Sequence, residues 1–138
     1  MPTISAAILS AADEAQAATR VKPLMATIYK ICDATQWSEA ERDDAFRGSA
    51  VDFADGYIHF STAAQVAETA AKHFTGMSGL VLVAVEAEEL GSALKWETSR
   101  GGALFPHLYG PLPLTAVRWV KSLRLDDNGR HVLPPLEP

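Results

Sequence analysis

Residues 80–85 constrain the fold most, because all six of them, Leu-Val-Leu-Val-Ala-Val, are apolar. Successive side chains of a β-strand point to opposite faces of its sheet, so a strand that is apolar throughout must be covered on both faces. We therefore predict a central strand here. The acidic residues Glu86, Glu88 and Glu89 then return the chain to solvent.

Other segments contain β-branched, aromatic or alternating apolar residues. They predict further strands at 26–32, 57–60, 94–97, 116–125 and 130–133. Capping signals and apolar spacing predict two principal helices, one at 35–46 and one that begins at Thr62. The chain is therefore predicted to form an α+β domain with about five or six short strands, a usual number for one sheet.

The composition narrows the class of protein. A chain of 138 residues with 48% hydrophobic and 21% charged residues is typical of one globular domain. Its net charge of -5 does not suggest a nucleic-acid partner, because phosphate binding requires clustered Lys and Arg. Cys32 is the only cysteine, so no internal disulfide can form. We expect a reducing compartment, the cytoplasm.

The first 24 residues differ from the rest, because 5–20 is alanine-rich and contains Asp13 and Glu14. This region lacks the basic start and long apolar run of a secretory signal, and its acidic residues count against a transit peptide. We predict that residues 1–24 form a helical or mobile extension, which Pro23 ends. Residues 25–138 are predicted to be a single α+β domain, and no stretch approaches transmembrane length.

Common motifs do not identify the chemistry of this chain. Its histidines are too far apart in sequence for a recognisable metal motif, so no metal is predicted. Residues 99–102, Ser-Arg-Gly-Gly, match neither the dinucleotide-binding pattern nor the P-loop. No serine lies in a nucleophile-elbow pattern.

Eight polar residues in apolar or aromatic surroundings remain as candidates for a functional site. They are Lys30, His59, Ser61, Thr62, Glu97, Arg100, His107 and Tyr109. Each type has a structural alternative, since a strand lysine usually reaches solvent, a strand histidine is more often structural, and hydroxyls before a helix are caps. Together, however, these side chains are sufficient for general acid–base chemistry.

Four motifs occur in the order found in a known family. They are 28–31 (Ile-Tyr-Lys-Ile), 55–62 (Asp-Gly-Tyr-Ile-His-Phe-Ser-Thr) with Gln65 and 69–70, 94–97 (Leu-Lys-Trp-Glu), and 105–112 (Phe-Pro-His-Leu-Tyr-Gly-Pro-Leu). In these motifs the chain resembles the bacterial family catalogued as domain of unknown function 952. That family has been grouped with the ADP-ribosyltransferase-like fold, a small split β-sheet domain that binds NAD in the cleft between its two sheets.

The resemblance extends to pairs of residues in that superfamily. Tyr29-Lys30 resembles the aromatic–arginine pair on the first core strand of many ADP-ribosyltransferases, with lysine in place of arginine. Ser61-Thr62 resembles their serine–threonine pair before a helix, and His59-Phe60-Ser61 is similar to a motif of the NAD-dependent RNA 2′-phosphotransferases. Glu97 is similar to the carboxylate on a later strand of the glutamate-bearing transferases.

These likenesses imply a role for each candidate residue. Glu97 and His59 would be catalytic, with Glu97 stabilising the positive charge that develops as nicotinamide leaves. The residues implied to bind NAD as a co-substrate are Tyr29, Lys30, Tyr57, Ser61 and Thr62. The residues implied to cover the cleft or meet an acceptor are Arg100, His107 and Tyr109.

The activity implied by the resemblance is transfer of ADP-ribose from NAD, or a related NAD-consuming reaction, onto an acceptor that the sequence leaves open. Two alternatives belong to other classes of protein. One is a non-catalytic module that binds a nucleotide-like or anionic small molecule in the same cleft. The other is a hydrolase that uses His59 and Glu97 without NAD. All three hypotheses predict a small-molecule ligand and no membrane partner.

Overall fold

The computed structural model describes residues 26–138, which form an α+β fold with antiparallel sheets. The strands are β1 Thr27–Asp33, β2 Ala45–Phe46, β3 Ile58–His59, β4 Ser61–Thr62, β5 Leu80–Glu86, β6 Leu94–Thr98, β7 Leu104–Leu108, β8 Leu112–Pro113, β9 Val117–Leu125 and β10 His131–Val132. The α-helices are α1 Ala34–Asp43, α2 Ala50–Asp55 and α3 Val66–His73, and short 3₁₀ helices lie at Ala87–Ala93, Arg100–Gly102 and Leu114–Ala116. The extension predicted at 1–24 lies outside the described residues. Within 26–138, no helix is long and apolar enough to cross a membrane.

The central strand predicted at 80–85 is confirmed. Strand β5 lies between β1 and β9 in a five-stranded sheet of order β10-β9-β5-β1-β4, here called the large sheet. Both faces of β5 are covered, because Val83 packs in one hydrophobic core with Ile28, and Leu82 packs in a second core with Tyr29.

A three-stranded sheet of order β3-β7-β6, here called the small sheet, has one apolar and one polar face. Directly opposed residues of antiparallel strands share a face. Ile58 opposes Leu108, and both are buried in the same core as Ile28. His59 opposes His107 on the other face, which is therefore turned away from that core.

Residues 58–62 connect the two sheets. Strand β3 pairs with β7 of the small sheet, and β4 pairs with β1 of the large sheet. Between them the N–H of Phe60 donates to the carbonyl oxygen of Pro106 at 3.0 Å. The prediction of one strand at 57–60 was therefore wrong in its extent, because the chain changes partner at Phe60 and alternation alone does not report a change of partner.

The helices also differ from the predictions. Helix α1 ends before Asp44, whose left-handed φ of 64° breaks the helix, and the predicted last residues of that helix form β2 instead. The helix predicted to begin at Thr62 begins at Val66, because Thr62 pairs in β4. Helix α2 was not predicted, although Ser49 and Asp52 have capping-box spacing.

Candidate functional site

A cleft of about 520 Å³ lies beside the point where the two sheets separate. Strand β4 pairs with β1 at Ile28 and Tyr29 only, and Phe60 then leads the chain toward the small sheet. The cleft is consequently bordered by Lys30 and Ile31 of β1. Of the residues predicted from the sequence, those that line it are Tyr29, Lys30, Tyr57, His59, Ser61 and His107.

Lys30 is buried at one side of this cleft, with 4% of its surface exposed. The expectation that a strand lysine reaches solvent was therefore wrong. The reason is Asp52, whose Oδ2 and Oδ1 lie 2.8 and 3.0 Å from Lys30 Nζ. The attraction between these two buried charges offsets part of the cost of removing each of them from water.

Asp52 is a residue of the candidate site that the sequence did not reveal. It lies on α2, and its Oδ2 accepts from the backbone N–H of Ser49 at 2.8 Å and from Ser49 Oγ at 3.0 Å. Burial alone would raise the pKa of Asp52, but the hydrogen bond from His59 and the charge of Lys30 outweigh it and hold that pKa well below its usual range. The capping-box spacing was the only signal for this position, and it indicates a helix start rather than a buried charge.

His59 is held between two carboxylates. Its Nδ1 lies 2.6 Å from Asp52 Oδ1, and its backbone N–H donates to the same oxygen at 3.1 Å. Its Nε2 lies 2.8 Å from Asp55 Oδ2. Asp52 thus links Lys30 of the large sheet to His59 of the small sheet, both of which line the cleft.

A second histidine–carboxylate pair lies on the same face of the small sheet. Glu97 Oε1 accepts from His107 Nδ1 at 2.8 Å and from the hydroxyl of Tyr109 at 2.7 Å. These two hydrogen bonds, that from His107 first, hold the pKa of Glu97 below its usual range. The hydrogen bond to Glu97 raises the pKa of Tyr109 to about 12. Glu97 contacts the cleft through His107, which lines it.

The ring of Tyr57 lies between the two histidine–carboxylate pairs and contacts the histidine of each. Its ring stacks on His107 with a centroid distance of 4.1 Å and an angle of 26°. The centroids of His59 and Tyr109 lie 4.6 and 5.2 Å from that of Tyr57. Burial and the nearby charges of Asp55 and Glu97 raise the pKa of the Tyr57 hydroxyl, which therefore stays protonated and uncharged.

The other residues predicted to belong to the site lie outside the two histidine–carboxylate pairs. Ser61 Oγ lies 2.8 Å from Thr69 Oγ1 at the cleft, whereas the N–H of Thr62 donates to Gln65 Oε1 at 3.0 Å, in a turn before α3. The hydroxyl of Tyr29 donates to the carbonyl oxygen of Glu137 at 2.7 Å and accepts from its N–H at 2.8 Å. Arg100 begins a 3₁₀ helix between β6 and β7.

The structure therefore brings His59, His107, Glu97, Tyr57 and Tyr109 together on one face of the small sheet. The ring of Tyr29 packs instead with Trp119, with centroids 5.9 Å apart, in the second core. Among residues 26–138, no group of three or more His, Cys, Asp or Glu side chains is placed to hold a metal ion. The chemistry available here is that of hydrogen-bonded histidines, carboxylates and an aromatic surface.

Comparisons with known proteins identify relatives of this chain. A family model described as Protein of unknown function (DUF952) matches residues 31–120. A crystal structure of protein CC0527 from Caulobacter crescentus is 54% identical, and the match covers 77% of this chain and 93% of that chain with a TM-score of 0.75. A solution NMR structure of CC0527 is 55% identical, with 75% and 90% coverage and a TM-score of 0.69. A search among curated proteins finds no match.

Proposed function

The chain belongs to the family described as Protein of unknown function (DUF952), and we propose from its cleft that it binds NAD and transfers the ADP-ribose group to an acceptor. The volume of about 520 Å³ falls within the range of about 300–1,000 Å³ typical of small-molecule sites. The ADP-ribosyltransferase-like grouping, which rests on resemblance, leads to the same activity. The acceptor is left open.

The observation that carries this proposal is the placement of Glu97. Its carboxylate is fixed by His107 and Tyr109 on the face of the small sheet that also presents His59 and Tyr57. A fixed negative charge is most effective in catalysis where positive charge develops during the reaction. Cleavage of the bond between nicotinamide and ribose develops such a charge on the ribose.

The proposed reaction requires only NAD and the acceptor. The bond between C1′ of the ribose and the nicotinamide nitrogen breaks, and its electron pair leaves with nicotinamide. A nucleophilic atom of the acceptor forms the new bond to C1′ and releases its proton to solvent. In this arrangement Glu97 stabilises the developing charge, and the ring of Tyr57 offers a surface for stacking.

Lys30 has a different role in this proposal from the one that the resemblance implies. Its ammonium group is already paired with Asp52, and only 4% of its surface is exposed. We therefore assign Lys30 to positioning Asp52, and through Asp52 the ring of His59. The contact with the diphosphate is left to His59.

Isothermal titration with NAD, together with an assay for released nicotinamide, tests the proposal. We expect binding in the millimolar range or tighter and slow release of nicotinamide, with water serving as acceptor. Tyr57→Ala is expected to weaken NAD binding by about tenfold, because stacking on an aromatic ring contributes roughly 1–3 kcal/mol per base.

Phe53→Ala is the matched control for this experiment. Phe53 is an aromatic residue on α2 that is 67% exposed and does not line the cleft, so NAD affinity should be unchanged. Both variants are first checked for an unchanged melting temperature. An absence of heat at millimolar NAD would refute the proposal.

A second candidate is a non-catalytic module that binds a nucleotide-like or anionic ligand. It is favoured by the pairing of the cleft's polar groups with one another, namely Lys30 with Asp52, His59 with both aspartates, and Ser61 with Thr69. NAD binding without release of nicotinamide would select this candidate. The hydrolase alternative is less favoured, because a histidine whose two nitrogens both face carboxylates has no free lone pair to act as a base.

A further inference from the structure

We propose that Asp55 is a built-in competitor for the ligand of this cleft. In the ligand-free protein its carboxylate covers His59 Nε2, and binding exchanges that carboxylate for an oxyanion of the ligand. The inference rests on the proposed function for its choice of ligand, a nucleotide that carries a diphosphate. It concerns binding alone and does not depend on any transfer of ADP-ribose.

Both ring nitrogens of His59 face carboxylates. Nδ1 lies 2.6 Å from an oxygen of Asp52, and Nε2 lies 2.8 Å from an oxygen of Asp55. An ionised carboxylate can only accept hydrogen bonds, so each ring nitrogen must carry a proton. In this geometry both ring nitrogens face oxygens that accept, and the Nε2–H points toward the position that Asp55 occupies.

The two carboxylates that contact His59 differ in burial and in their other partners. The side chain of Asp52 is 1% exposed and is also bonded to Lys30 and Ser49. The side chain of Asp55 is 46% exposed, and among residues 26–138 it forms an ion pair with His59 alone. A buried ion pair is costly to break, so Asp52 is expected to keep its contact with His59. An exposed ion pair contributes little to stability, so a ligand oxygen can replace Asp55 at His59.

The Asp55 carboxylate lies where a ligand of the cleft would bind. Asp55 and His59 both line the cleft of about 520 Å³, so the Asp55 carboxylate occupies space that a ligand would enter. Asp55 is the last residue of α2, and Gly56 follows it with a left-handed φ of 88°. A side chain at a helix end can turn outward without breaking a strand or a core contact. The ligand oxygen that replaces the Asp55 carboxylate would be a phosphate oxygen. Once Asp55 has turned away, an ionised oxygen accepts a stronger hydrogen bond from His59 Nε2–H than water does.

Pyrophosphate is the probe for this exchange, since it presents the same oxyanions as a nucleotide diphosphate. In the full-length protein labelled with ¹⁵N-histidine, we expect pyrophosphate to shift the Nε2 resonance of His59 and to leave Nδ1 nearly unmoved. The His59 signals are assigned by their loss in His59→Gln. An unmoved Nε2 resonance at saturating pyrophosphate would overturn the exchange.

Affinity measurements on variants complete the test. Asp55→Ala is expected to bind pyrophosphate about fivefold more tightly than the wild type, because the competitor is gone. Asp55→Asn removes the same charge but keeps an acceptor over His59, so its gain should be smaller. Equal gains in the two variants would assign the effect to charge alone and overturn the proposal.

Asp43→Ala is the matched control, since Asp43 is also exposed and also ends a helix, but does not line the cleft. Its affinity for pyrophosphate should equal that of the wild type. If pyrophosphate behaves as expected and NAD is not consumed, the transferase proposal fails and the exchange stands. If NAD is consumed and Asp55→Ala gains nothing, the exchange fails and the transferase proposal stands.

Discussion

Asp52→Asn is expected to lower the free energy of unfolding by about 3 to 5 kcal/mol, because it leaves the buried ammonium of Lys30 without a countercharge. The same substitution weakens the contact to His59 and the contacts to Ser49 at the start of α2. Urea unfolding of the purified variant measures the loss. Asp43→Asn removes an exposed carboxylate and should change the free energy of unfolding by no more than about 0.5 kcal/mol.

The pH dependence of unfolding identifies the charge as the cause of that loss. The pKa of Asp52 in the folded protein lies below its usual value of about 3.9. A group with a lowered folded pKa contributes stability above the unfolded pKa and loses it as the pH falls through the folded pKa. The difference between wild type and Asp52→Asn should therefore be full above about pH 4 and should narrow as the pH falls below it.

A double-mutant cycle separates the ion pair from the rest of the network. Lys30→Met leaves a buried carboxylate, and Asp52→Asn leaves a buried ammonium. The double variant leaves neither, so it should lose less stability than the two single variants added together. Strict additivity, or a difference between wild type and Asp52→Asn that does not change down to pH 2, would show that the charges are not coupled.

The parts of the fold that were predicted correctly are those in which local pattern and tertiary environment agree. Residues 80–85 are apolar throughout, and β5 is covered on both faces. The strand predicted at 130–133 is present as β10, which pairs with the strand predicted at 116–125, β9. In these segments the periodicity of side chains carries the information that decides the structure.

Predictions failed where pairing partners decided the structure. Residues 58–62 contain one apolar and aromatic run, yet Ile58 and His59 pair in the small sheet while Ser61 and Thr62 pair in the large one. The cleft lies at that division, which depends on pairing with segments about 50 residues later and about 33 residues earlier. No local pattern encodes such a choice of partners.

The candidate site was predicted in part for the same reason. His59, Glu97 and His107 stand out as polar residues in apolar surroundings, and opposed positions on the small sheet bring His59 and His107 together. Asp52 did not stand out, because a carboxylate near a helix start is ordinary in sequence. Its importance comes from Lys30, 22 positions earlier, whose ammonium group it meets in the interior.

The most direct test of the proposed chemistry is Glu97→Gln, which is expected to reduce the rate of nicotinamide release by about a hundredfold to a thousandfold. Glutamine has nearly the shape of glutamate and can still accept from His107 and Tyr109, but it lacks the negative charge. Removal of one preorganised electrostatic group in an active site typically has an effect of this order. NAD affinity, measured by titration, should change much less than the rate.

Two variants make the Glu97 result interpretable. Tyr109→Phe removes one hydrogen bond to the carboxylate and keeps its charge, so we expect a smaller loss of about tenfold. Glu88→Gln removes an exposed carboxylate outside the cleft and should leave the rate unchanged. Because Glu97 is partly exposed, its variant should melt within about 2 °C of the wild type. Full activity in Glu97→Gln would show that the charge of Glu97 does not drive the reaction and would overturn the catalytic role assigned to this residue.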